Sequence, residues 1–222
     1  MLAGVWAVLA MAGWSAMVAG WTPRLAQFDP VSWHAHEMLF GFLGAVLAGF
    51  LLTAVPNWTG RLPIVGWPLA GLVSLWLAGR LAVAVPAGLS PAIVAVLDLL
   101  FPVALALAIG REIFAGRNWR NLPVLALLVL FIAANSLFHT SAAHGEYAAG
   151  GIGFRMGLAV AVMLVTLIGG RIVPSFTRNW LVKRKVDDLP APFGSVDRIA
   201  LLSTLFALFS LVAVPNFVGT AA

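Results

Sequence analysis

The residues best suited to chemistry in this chain are its four histidines, His34, His36, His139 and His144. There is no cysteine, which excludes disulfides, thiolate metal sites and cysteine nucleophiles. Histidine is the commonest ligand for metal ions and a frequent one for haem iron. Two carboxylates stand near the histidines: Glu37 directly follows His36, and Glu146 follows His144 by two residues. A carboxylate so placed can orient a ligand imidazole through its other ring nitrogen. On a helix His34 and Glu37 are three apart and share a face, whereas His34 and His36 point nearly opposite ways. Only one of the two is therefore expected to face inward. His36, the deeper, is favoured, sharing a cofactor environment with His139 or His144. The candidate metal set is His36, His144 and Glu37. The wider cofactor-binding set is His34, His36, His139, His144 and Arg155. The competing reading leaves the histidines in the headgroup zone of a membrane, where a polar side chain costs little.

Other polar residues are fewer. Asp98 and Arg80 fall inside apolar stretches. An acid and a base at such depth are expected to pair or to line a cavity, and a structural ion pair is the favoured reading. Arg155 either snorkels to the interface or meets an anionic group such as a haem propionate through its forked guanidinium. Asn135 and Ser136 can hydrogen-bond between helices. The nine tryptophans fall largely near span ends, as an aromatic belt would, and are assigned no chemistry.

The elements that position these residues follow from composition. Of the 222 residues, 62% are hydrophobic and only 9% charged. Soluble domains carry roughly 45–50% and about 25%, so lipid is the solvent that fits and membrane lipid the expected surrounding partner. The net charge of +5 then reports on membrane orientation and not on nucleic acid, which is not expected as a partner. Seven stretches are long and apolar enough to span a bilayer: 2–21, 35–55, 65–86, 91–110, 121–138, 149–172 and 198–214. The expected fold is all-α, a polytopic transmembrane bundle of about seven spans forming one unit over 1–222. Turn-formers separate the spans: Thr22-Pro23, Asp29-Pro30, Pro56-Asn57, Pro63, Pro86, Pro91, Asn121 to Pro123 and Pro174. Ser32 is the expected N-cap of the second span. The opening residues lack a basic flank and read as a first span, not a signal peptide.

Ten basic residues follow spans two, four and six, whereas only Arg24, Arg80 and Arg155 lie on the other side. The positive-inside rule places the N-terminus and the polar loop 178–197 in the cytoplasm, and all four histidines at the outer face.

Spans two and six echo one another. Each follows a histidine and a glutamate, carries Gly-Phe near its start (Gly41-Phe42, Gly153-Phe154) and ends similarly, Val55-Pro56-Asn57-Trp58-Thr59 against Val173-Pro174-Ser175-Phe176-Thr177. That suggests a parallel four-helix repeat. A third phrase, Val214-Pro215-Asn216-Phe217, closes a span of opposite direction, so reuse of a helix-ending motif is the competing explanation.

The phrase from Trp33-His34-Ala35-His36-Glu37-Met38-Leu39-Phe40-Gly41-Phe42 through Leu52-Thr53-Ala54-Val55-Pro56-Asn57-Trp58-Thr59-Gly60 resembles the NnrS family. So do Asn135-Ser136-Leu137-Phe138-His139 and Gly169-Gly170-Arg171-Ile172-Val173-Pro174-Ser175-Phe176-Thr177-Arg178-Asn179. The resemblance implies a bacterial inner-membrane protein associated with denitrification and nitric oxide stress, with nitric oxide as ligand. It also implies haem and copper, with ligation by His34 or His36 and by His139 or His144. Family members usually carry about twice as many spans, so an incomplete, half-length site is a further expectation. A small-solute transporter or channel, with Asp98 and Arg80 lining the path, is the alternative. No nucleophile–base constellation argues for an enzyme.

Overall fold

The computed structural model describes residues 1–21, 28–84, 88–190 and 194–214. The turns expected at Thr22-Pro23 and Pro86, the side chain of Arg24 and the third end phrase from Pro215 onward lie outside the described residues. Among those described, all regular structure is helical. We number the helices α1 (Leu2–Val18), α2 (Pro30–Thr59), α3 (Trp67–Ala84), α4 (Pro91–Ala115), α5 (Leu122–Ala143), α6 (Ile152–Lys183) and α7 (Ser195–Ala213). Helices α2 to α7 are long and apolar enough to cross a membrane, with α5 extended by the turn that precedes it; α1, at 17 residues, is shorter but equally apolar. Large side chains such as Leu81, Val96, Leu107 and Val129 are exposed along these helices. In water that would be untenable, but in lipid it is the normal outward face. The protein is an all-helical membrane protein.

The chain divides into two compact units, Met1–Gly157 and Leu158–Ala222. In the first, α3 lies along α4 and α4 along α5, while α1 rests on the upper part of α2 and the lower part of α2 on α4. Small residues allow close approach, as in other membrane helices. A β-carbon at Gly79 would lie 3.0 Å from the Asp98 α-carbon, so α3 and α4 touch nearly backbone to backbone there.

Helix starts obey capping chemistry. Asp29, not Ser32, caps α2: its Oδ1 accepts from the Val31 and Ser32 amides at 3.0 Å each. Pro30 at the first helical position is pre-set for the helix, which moves the start three residues earlier than the serine suggested. The Ser32 hydroxyl instead accepts from the Ala149 amide at 3.0 Å, tying the turn after α5 to the start of α2. Ser90 caps α4 ahead of Pro91 in the same way.

Helix α2 is not regular. From Glu37 to Leu43 it winds as a π-helix before returning to α geometry. Such wide turns are rare and are frequently found at functional sites.

In the second unit α6 runs through Pro174 as far as Lys183, and α7 begins with Asp197 accepting from the Gly194 amide at 2.7 Å. Residues 178–183, expected as loop, are therefore helix. A proline inside a membrane helix is tolerated, and Pro56 in α2 and Pro102 in α4 behave likewise. The Arg184 guanidinium lies 3.9 Å from the Trp180 ring centroid, covering the end of α6.

Candidate metal centre

Successive helices of the first unit alternate in direction. The start of α2, the end of α3, the start of α4 and the end of α5 thus meet at one end of the unit. His36 lies about 9 Å into α2 and Asp98 about 10 Å into α4, at 1.5 Å per residue. Arg80 and His139 each lie about 6 Å before the end of α3 and α5. Helix arithmetic alone brings the four to a similar depth.

They meet there. His36 Nε2 lies 3.2 Å from Asp98 Oδ2 and 3.1 Å from Asn135 Oδ1. His139 Nε2 lies 3.0 Å from the same Asp98 oxygen. The donor atoms of His36, Asp98 and His139 all fall within 4.8 Å of one another. His36 is fully buried, Asp98 and Asn135 nearly so, and His139 is 6% exposed. The two imidazoles meet edge to face, with centroids 5.0 Å apart. Phe28, Phe40 and Phe138 pack around the His36 ring at 5.1, 5.3 and 5.3 Å and keep water away from it.

Around this set stands a second layer. His36 Nδ1 lies 3.1 Å from Glu37 Oε1. In the tautomer with its hydrogen on Nδ1, His36 donates to Glu37 and turns the lone pair of Nε2 toward Asp98 and Asn135. Glu37 also accepts from Arg80 Nη1 at 2.5 Å and, through Oε2, from Trp6 Nε1 at 2.6 Å. The other arm of the Arg80 guanidinium, Nη2, donates to Asp98 Oδ1. The Asn135 amide nitrogen donates to Asp98 Oδ2 at 2.7 Å, which fixes its own oxygen toward His36. The guanidinium passes over Gly41, whose carbonyl accepts from Trp76 Nε1 at 3.1 Å.

The centre gathers donors suited to a small cation. Four lone-pair-bearing atoms, His36 Nε2, His139 Nε2, Asp98 Oδ2 and Asn135 Oδ1, converge in a buried space. A tetrahedral ion with bonds of about 2.1 Å holds its ligand atoms about 3.4 Å apart, close to the 3.0–3.2 Å that separate His36 Nε2 from Asp98 and Asn135 and His139 Nε2 from Asp98. The adjoining cavity, lined by Phe40, Gly44, Arg80, Asp98, Phe131 and Asn135 among others, has a volume of about 10 Å³. That is the lower limit for a single water and far below what a porphyrin requires. A metal ion fits this cluster; a haem does not.

The residues singled out from sequence separate accordingly. His36 and His139 come together. His144 is the C-cap of α5 and is exposed, as is Glu146, so the pairing of His36 with His144 gives way to His139, one turn earlier and inside the bundle. Glu37 lies against His36 and Arg80 rather than within the donor group. His34 is half-buried with its ring stacked on Trp14, centroids 4.5 Å apart. Arg155 is half-buried on the first turn of α6. The Asp98–Arg80 pair is present, but Asp98 spends its other oxygen on the histidines. Ser136 bonds its own helix, to the Ile132 carbonyl. Two tryptophans assigned no chemistry, Trp6 and Trp76, donate hydrogen bonds at the centre. The α2–α6 approach is made by Gly157, where a β-carbon would lie 2.8 Å from the Phe40 ring.

Fold and centre together define a helical membrane protein with a buried histidine–carboxylate cluster near one end of its bundle. The chain belongs to the NnrS family, whose model, described as NnrS protein, matches residues 1–222. At the level of the family it is a membrane protein associated with the nitric oxide response. Neither the curated proteins nor the solved structures compared with it include a match.

Proposed function

We propose that this protein holds a copper ion at His36, His139 and Asp98, with Asn135 as a fourth donor, and serves the bacterial nitric oxide response from the inner membrane. One observation carries the reading: His36 Nδ1 is committed to Glu37, while Nε2 faces two oxygens with lone pairs of their own. Such an arrangement asks for a positive charge between the atoms. Imidazole suits copper, the metal that the family resemblance implies. Bound copper supplies affinity for nitric oxide and one-electron redox capacity.

The chain's own residues do the rest. Glu37 sets the tautomer and rotation of His36, a role that outer carboxylates commonly play. Arg80 and Asn135 fix the Asp98 carboxylate. The phenylalanine collar excludes water. The haem implied by the family would be held elsewhere, by His34 or His144 with Arg155 beside its carboxylates; the Nδ1 of His34, buried without a hydrogen-bond partner, supports that choice. The basic asymmetry supports a cytoplasmic N-terminus, which puts the centre toward the outer side.

X-ray absorption at the copper edge of the purified, copper-loaded protein tests the reading. The expected first shell is nitrogen and oxygen with imidazole scattering. A sulfur shell, which only methionine can supply in this chain, would count against it.

A further inference from the structure

Resting on that copper reading, we infer that Arg80 sets the charge of the ion the centre accepts and tunes it to a monovalent one. The charges in mutual contact are two carboxylates, Glu37 and Asp98, and one guanidinium, Arg80. All three are buried. With both histidines neutral, as metal ligation requires, the cluster carries one excess negative charge. A monovalent ion makes it neutral, whereas a divalent ion leaves a positive charge in a low-dielectric interior, where net charge is costly. Cuprous copper meets the condition, and imidazole is among its ligands.

The fold is shaped to admit this guanidinium. Gly41 leaves it space, since a β-carbon there would lie 2.5 Å from Arg80 Nη1, and Gly79 lets α3 approach Asp98, whose Oδ1 would lie 3.1 Å from a β-carbon there. Arg80 takes the Asp98 oxygen that faces away from the histidines and leaves Oδ2 to them. It therefore lowers the charge of a donor carboxylate without occupying a donor position. Glu37 acts on the same balance with the opposite sign. Both are positioning residues outside the donor set.

The test compares cuprous copper and zinc binding, each by competition with a chelator, in the purified full chain and in Arg80→Gln, Arg80→Lys and Glu37→Gln. Zinc serves as a divalent probe without redox chemistry. The wild type is expected to prefer cuprous copper. Arg80→Gln should move the copper-to-zinc affinity ratio toward zinc by about tenfold or more, the effect of one unit charge a few ångströms away. Arg80→Lys, which keeps the charge, should leave the ratio near the wild-type value. Glu37→Gln should weaken zinc more than copper, and it carries the test if Arg80→Gln does not accumulate. Ratios unchanged in both charge-altering variants would overturn the inference while leaving the metal centre standing. Failure of the wild type to bind either ion would overturn the metal centre as well.

Discussion

The guanidinium of Arg80 fills the space beside Gly41, where even a methyl group would lie 2.5 Å from Nη1. Arginine is usually free to swing aside, but here Glu37 and Asp98 grip both of its terminal nitrogens. Gly41→Ala should therefore break one of these bonds or push α2 and α3 apart. Overpacking of this kind costs roughly 1–3 kcal/mol. Thermal unfolding in detergent should show a lower midpoint than wild type; an unchanged midpoint would mean that Arg80 is not held as described.

A second prediction concerns the buried pair itself. Removing one partner of a buried ion pair leaves an uncompensated charge, at a cost of about 3–5 kcal/mol. Asp98→Asn and Arg80→Gln should each destabilise strongly, and the double variant should lose less than the sum of the two. A double-mutant cycle on unfolding free energies measures this, and additive losses would show that the two do not interact.

The pair Arg61–Glu112, near the opposite ends of α2 and α4, provides a contrast, because the Arg61 side chain reaches solvent although Glu112 is buried. A partly solvated pair contributes about 0–1 kcal/mol. Arg61→Gln should thus shift the unfolding midpoint far less than Arg80→Gln. Equal shifts would remove the distinction between core and rim drawn here.

Orientation can be read from single cysteines placed in this cysteine-free chain. Ser141, in the last turn of α5, should be labelled from outside intact cells by an impermeant thiol reagent; Ser195, at the start of α7, should not. The reverse pattern would invert the topology and put the metal centre toward the cytoplasm.

Much of this was legible in the sequence, because lipid imposes simple rules. Apolar length marks out the helices and places Asp98 and Arg80 within them, but the depth of His36 follows only from the observed start of α2 at Pro30. What stayed hidden has physical causes. A period of 3.6 residues pairs His34 with Glu37, yet the π-helix begins at Glu37, so Glu37 and its neighbour His36 both turn into the centre. No composition signal announces that change of winding. The echo of His36 in sequence favours His144 over His139, but His144 falls past the last turn of α5 while His139 stays inside. The sequence offers Asp98 as a partner for Arg80 or as the lining of a path, but a carboxylate has two oxygens and the second is the one that meets the histidines. Trp6 looked like part of an interfacial belt. Its indole N–H is spent on Glu37, because α1 lies against the π segment.

The most direct measurement is copper per protein in the four single histidine-to-alanine variants, purified in parallel with wild type. His36→Ala and His139→Ala each remove a donor and should lower copper to background. His34→Ala and His144→Ala should retain the wild-type content. Retention of copper by His139→Ala together with its loss from His144→Ala would contradict the centre described here.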